Sequence, residues 1–188
     1  MSVSNFKIWE GIFKDYKTAI NNNFNNKEYS KIYIKKALKV YKTNIELLKK
    51  NKINKASIER FIHLPMLVKN FSKKNTINIV DFGGGFGNSY LYLKLTLNKE
   101  LFNKIKYNII ETDDVVFSAK KINKKINFSN KFKSDIKPDI VFICSSLQYI
   151  DNWKKLINQI CELNPKSILL SDVFCHKNLD FVTHQNYY

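Results

Sequence analysis

Four of the five glycines in this 188-residue chain fall within one five-residue window: Gly83, Gly84, Gly85 and Gly87. They directly follow an apolar run, Ile77-Asn78-Ile79-Val80-Asp81-Phe82. Glycine lowers folding stability because it has more backbone freedom to lose. Clustering four of them is consistent with a sharp turn at which a ligand approaches the main chain. A second acid, Glu111, closes another apolar run, Tyr107-Asn108-Ile109-Ile110-Glu111. A carboxylate at a strand end can accept hydrogen bonds from both hydroxyls of an adenosine ribose. The plainer alternative is a glycine-rich turn beside an ordinary strand-end acid.

The spacing narrows the ligand. A nicotinamide dinucleotide calls for G-x-G-x-x-G/A, and counting from Gly83 and Gly85 the third position falls on Asn88. Asp81 would repel a pyrophosphate. The same acid suits a ligand carrying positive charge, as S-adenosylmethionine does on its ammonium and sulfonium groups.

These residues must be held by alternating strands and helices. Short apolar runs at 77–82, 105–111, 138–145 and 166–173 are separated by helix-like segments near 87–98, 112–124 and 151–163. A weaker strand is expected at 126–129, and Asp151 is the expected N-cap of the last helix. This alternation predicts βαβ units and an α/β, doubly wound, mostly parallel sheet. Ahead of it, Ile34, Leu38, Tyr41, Ile45 and Leu48 predict an amphipathic helix, and a second covers 56–72 with a break near Pro65. The expected organisation is an N-terminal helical cap over 1–74 and a Rossmann-like cofactor domain over 75–188. Trp9, Phe13 and Tyr16 either roof an acceptor pocket or, more simply, pack the cap.

Asp81-Phe-Gly-Gly-Gly-Phe-Gly87 followed by Glu111 resembles motif I and the post-I acid of class I S-adenosylmethionine-dependent methyltransferases. More narrowly, Trp9–Phe13, Asp81–Tyr90, Glu111-Thr112, Ser145–Tyr149 and Phe181–Tyr188 resemble a bacterial methyltransferase family associated with surface-polysaccharide genes. The resemblance implies S-adenosylmethionine as cofactor. Gly83, Gly84, Gly85 and Gly87 would lie along its methionine moiety, with Asp81 near the ammonium and Glu111 on the ribose. It places Thr112 and Phe128-Ser129 beside the adenine, and Ser145 to Tyr149, Gln148 included, between cofactor and acceptor. It also implies a terminal antiparallel hairpin of which 177–188 supplies one strand, so a truncated C-terminus is expected.

Methyl transfer to a hydroxyl needs a base. The candidates are Tyr149, His176, His184 and Asp172; each histidine reads more readily as a surface residue, and His63 as a packing or surface one. Cys175-His176 with His184 lacks a zinc spacing, so no metal is expected. An exocyclic-amine acceptor is disfavoured because Ser145-Ser146-Leu147-Gln148 stands where an Asn/Asp-Pro-Pro-Tyr/Phe string belongs. Carbon-5 cytosine chemistry is disfavoured because Cys144 follows isoleucine, and Cys144 is expected in the core.

The net charge of +16 invites nucleic acid, yet 31 of the 32 basic residues are lysine and Arg60 is the single arginine. Arginine supplies the bidentate contacts of specific readout. The lysines accompany asparagine and isoleucine throughout, the pattern of an A- and T-rich genome. The expected acceptor is therefore a small-molecule or saccharide hydroxyl. An RNA methyltransferase, or a truncated cofactor-binding protein without turnover, is the alternative. The opening residues lack a signal-peptide core and no run is long enough to span a membrane, so a cytoplasmic protein is expected. Oligomeric state is not legible.

Overall fold

The computed structural model describes residues 9–20, 26–133, 135–174 and 181–185. Contacts divide the chain into two compact units, residues 1–29 with 174–188, and residues 30–173. The boundaries between these two units fall at 29/30 and 173/174.

The larger unit is built on five parallel strands: β2 (Ile77–Phe82), β3 (Ile105–Ile110), β4 (Asn127–Ser129), β5 (Ile140–Cys144) and β6 (Ser167–Ser171). Their order is β4-β3-β2-β5-β6, with β2 in the centre. The chain therefore winds outward from β2 in both directions, and its switch point lies between β2 and β5. Asp81 stands level with Ile109 and Phe142, and Phe82 with Ile110 and Ile143. A parallel strand covered on both faces needs apolar residues at nearly every position. The run at 77–82 meets that requirement, and all four runs read as strands are strands.

Strand alternation sends residues to two cores. Ile77, Ile79, Tyr107, Ile109, Phe128, Ile140 and Phe142 face one layer. There they meet Tyr41 of α2 (Asn26–Lys49), Leu64 and Val68 of α4 (His63–Lys69), Leu93 of α5 (Asn88–Thr96), Leu101 of α6 (Lys99–Asn103) and Val115 of α7 (Asp113–Lys120). Val80, Ile110, Val141 and Ile143 face the other layer, against Leu156 and Ile160 of α8 (Trp153–Glu162). This is the doubly wound α/β fold. No described helix is long and apolar enough to cross a membrane.

Several local expectations change. The stretch 56–72 divides into α3 (Lys55–Phe61) and α4, and the break lies at Ile62. Pro65 falls in the first turn of α4, where its missing N–H is not needed. The cap of α8 is Asn152, whose side chain accepts from the Lys155 N–H at 3.0 Å; Asp151 lies one residue too early. The short helix α6 was not anticipated; Asn98 caps it by accepting from the Leu101 N–H.

In the smaller unit, α1 (Tyr16–Ile20) follows β1 (Trp9–Phe13), so the opening is not wholly helical. β1 pairs antiparallel with β7 (Val182–Gln185) in a two-stranded sheet, Glu10 opposite His184. The C-terminal strand thus pairs with β1, not with the five-stranded sheet.

Candidate functional site

The glycine loop leaves the carboxyl end of β2 and runs into α5. The Gly83 N–H donates to the Ile110 carbonyl (2.8 Å) and the Gly87 N–H to that of Gly84 (3.0 Å). Gly83, Gly85 and Gly87 have φ of 73°, 57° and 93°, in the left-handed region. Two positions explain why glycine is required. A Cβ on Gly83 would lie 2.4 Å from the Cβ of Ser146, on the connection after β5. A Cβ on Gly84 would lie 2.5 Å from Oδ2 of Asp81. The loop therefore lies close against one acid and against Ser146, whose Oγ donates to the Phe82 carbonyl at 2.8 Å.

The resemblance implies Asp81 near the cofactor's ammonium group; the structure shows its surroundings within the protein. Its carboxylate is 1% exposed and lies under the loop. Ser89 Oγ and Tyr107 Oη both donate to its Oδ2, and the two hydroxyls are 2.9 Å apart. Alternation explains this: Asp81 points to the same layer as Ile77, Ile79 and Tyr107. Burial pushes its carboxyl up to about 6; the two hydroxyls oppose the shift and Glu111 adds to it. Burial also raises the Tyr107 phenol well above its ordinary value, with the Asp81 charge reinforcing. Sequence reasoning missed Ser89 and Tyr107; the signal available was that a buried acid needs hydroxyl partners.

Glu111 is the first residue beyond β3. One carboxylate oxygen accepts the Gly85 N–H and the other the Thr112 N–H, both at 3.0 Å. It thereby ties the glycine loop to the end of β3. Burial raises its carboxyl, and these two N–H groups pull the other way. The Glu111 N–H donates to the Ser129 carbonyl, so β4 ends beside it. Thr112 is the exposed N-cap residue of α7. Phe128, expected to flank an adenine, is 4% exposed and packs in the core. Its register with Ile109 turns it to the buried layer, and Ser129 is the β4 residue at the carboxyl edge.

Beyond β5 the connection is polar and strained. Ser145 has φ of 53° and Asp172, just beyond β6, has φ of 52°. The Ser145 hydroxyl donates to Asp172 Oδ2, and Arg60 Nε pairs with the same oxygen at 3.2 Å. The Arg60 carbonyl in turn accepts from Ser171 Oγ at 2.8 Å. Leu147–Tyr149 form a 3-10 turn, with Tyr149 exposed. The buried Oε1 of Gln148 has no partner among the described residues. Cys144 packs against the core, and burial pushes its thiol up to about 11, which keeps it protonated at neutral pH. His176 and Cys175 lie outside the described residues. His184 belongs to β7, and its side chain is likewise outside them. Among the described residues no group of His, Cys, Asp and Glu is arranged to hold a metal.

No family model matches the chain, and no curated protein does. Among solved structures it is similar to the plantazolicin methyltransferase BpumL in complex with a triazolic desmethylPZN analog and SAH. That match has 16% identity and a TM-score of 0.46, and covers 72% of this chain and 54% of that one. It is also similar to BpumL in complex with SAH, at 23% identity and TM-score 0.39 over 57% and 43% of the two chains. A SAM dependent methyltransferase from Aquifex aeolicus matches at 18% identity and TM-score 0.42, over 64% and 66%. The chain spans about half the length of the BpumL chains it matches.

Proposed function

We propose that the chain binds S-adenosylmethionine across the carboxyl edge of β3, β2 and β5 and transfers its methyl group to a hydroxyl of a small molecule or saccharide. The observation that carries this reading is Glu111, which accepts the Gly85 N–H of the glycine loop at the carboxyl end of β3. A carboxylate offers about four lone-pair sites. Two are used by the Gly85 and Thr112 N–H groups, which leaves one on each oxygen for a ribose hydroxyl.

The other residues fit the same ligand. A Cβ at the buried Gly85 would meet Tyr33 Oη at 3.5 Å, an ordinary contact, so the glycine is required there for its backbone conformation and not for lack of room. The N-terminus of α5 at Gly87 adds its positive dipole end. The orphaned acceptor of Gln148 fits a ligand that carries N–H or O–H donors. Asp81 lies close against Gly84 of the loop and is bonded to Ser89 and Tyr107. Thr112 and Ser129 border the Glu111 end, and Ser145 and Ser146 form the opposite wall.

The bound cofactor supplies an electrophilic methyl group on a sulfonium centre. The protein supplies alignment and exclusion of water. For a hydroxyl acceptor a base takes the proton, and Tyr149, exposed on the turn after β5, is the candidate in this unit.

Calorimetry with S-adenosylhomocysteine tests the reading. Micromolar binding is expected, falling about 100-fold or more in Glu111→Ala, since each of two charge-assisted hydrogen bonds is worth about 1.5–3 kcal/mol. An intact, folded protein that does not bind it would refute the proposal.

A further inference from the structure

We propose that Arg60, fixed by Asp172 and Ser145, anchors an anionic group of the methyl acceptor, a carboxylate or a phosphate monoester. This rests on the reading above and adds the acceptor's chemistry to it.

Three observations converge. The first is position. Glu111 at β3 sets the adenosine end, so a ligand running along the glycine loop brings its reactive end towards β5, and the space over β5 and β6 is left for the acceptor. Ser146 touches the loop at Gly83, and its neighbour Ser145 holds Asp172. The cluster is therefore one residue removed from the loop, on the side away from Glu111.

The second is construction. Ser145 and Asp172 both hold left-handed backbone conformations without being glycine. Such strain persists only where the surroundings enforce it, and it gathers at functional sites. Here it aims two side chains at one another. Asp172 Oδ2 pairs with Arg60 Nε at 3.2 Å, and the Nη groups have no partner among the described residues. The Arg60 carbonyl is pinned by Ser171. The Arg60 side chain is 56% exposed, tethered through Nε to Asp172. A surface ion pair this accessible contributes little to stability.

The third is residue choice. A chain with 31 lysines uses arginine once, and uses it here. Lysine would serve as well for a lone pairing with Asp172. Only a guanidinium can give Nε to one carboxylate and still present a flat two-donor edge to a second two-oxygen anion. The net charge of +16 draws such acceptors toward the protein.

Because Arg60 is the only arginine, an arginine-selective reagent reports on it alone. The full chain is treated with phenylglyoxal and the adduct followed by mass spectrometry, with and without methyl phosphate or acetate as probes. Each anion that fits the anchor is expected to slow modification at least threefold at millimolar concentration. Protection by methyl phosphate alone, by acetate alone, or by both identifies the group accepted. Asp172→Asn and Ser145→Ala, each checked for native circular dichroism, are expected to raise the half-protecting concentration about tenfold. Failure of both anions to protect overturns the anchor. So does protection by S-adenosylhomocysteine alone, which would assign Arg60 to the cofactor's own carboxylate. Calorimetry on the same sample separates the two ideas: S-adenosylhomocysteine that binds without anion protection sinks only the anchor.

Discussion

Asp81 shows that the type of a residue can be legible where its surroundings are not. The strand-end acid is legible from sequence, but the side of the strand it takes depends on pleat and register, and these turn it under the loop. Its buried carboxyl is raised from 3.8 to about 6, so the folded state binds a proton that the unfolded chain releases earlier. The associated stability is full below the unfolded value and is lost as pH rises through the folded one. The shift corresponds to about 3 kcal/mol. Asp81→Asn keeps the shape and cannot ionise. Urea denaturation of wild type and variant at pH 4 and pH 8 is expected to show the difference moving by about 3 kcal/mol in favour of asparagine at the higher pH. A difference that stays constant with pH would mean that burial does not set this titration. Because the carboxylate is buried and bonded to Ser89 and Tyr107, Asp81→Asn is also expected to change S-adenosylhomocysteine affinity less than Glu111→Ala does.

The glycine loop as an element makes a prediction that no single residue does, because its glycines are required for different reasons. Alanine at Gly83 would combine a left-handed backbone with a 2.4 Å approach to the Cβ of Ser146, an atom fixed to the main chain. Alanine at Gly85 would carry the backbone strain alone, about 1–2 kcal/mol, since its nearest neighbour, Tyr33 Oη, is at ordinary contact distance. Urea midpoints are therefore expected to fall further for Gly83→Ala, by about 3 kcal/mol or more once an overpacked contact adds to the strain. Gly85→Ala is expected to lose more cofactor affinity for each unit of stability lost, because Gly85 donates the N–H that positions Glu111. Adding Ser146→Gly is expected to recover part of the Gly83→Ala loss and none of the Gly85→Ala loss.

Legibility at this scale followed sequence distance. The runs 77–82 and 105–111, and the glycines between them, were readable because the pleat and the turn are local. β1 was not readable, because its partner β7 lies some 170 residues away and a bulge between Glu10 and Phe13 breaks its alternation. The Arg60–Ser145–Asp172 cluster joins an α-helix to two strand ends, and its local signal was a solitary arginine in a lysine chain.

At the scale of the molecule the question is what a charge of +16 does. A charge of that size can serve nucleic-acid binding, where each neutralised phosphate releases counterions and makes affinity fall with salt. It can equally reflect lysine spread over a solvated surface, which steers small anions and affects encounter rates more than affinity. The single arginine and its tethered position favour the second. The two cases separate cleanly in magnitude. A protein held by six to ten phosphate contacts loses roughly 10³–10⁵ in affinity between about 50 and 200 mM salt. One anionic group on one guanidinium involves a single such contact, and over the same range its loss is about fourfold, because affinity scales with salt to nearly the first power for each contact. The half-protecting concentration of whichever anion shields Arg60 from phenylglyoxal, measured at the two salt levels, is therefore expected to rise by only a few-fold. Total RNA, titrated by anisotropy alongside, is expected to bind weakly and with a much steeper salt slope. RNA binding that stayed tight at 200 mM salt and itself protected Arg60 would reverse the assignment, and would make the lysine surface part of the site.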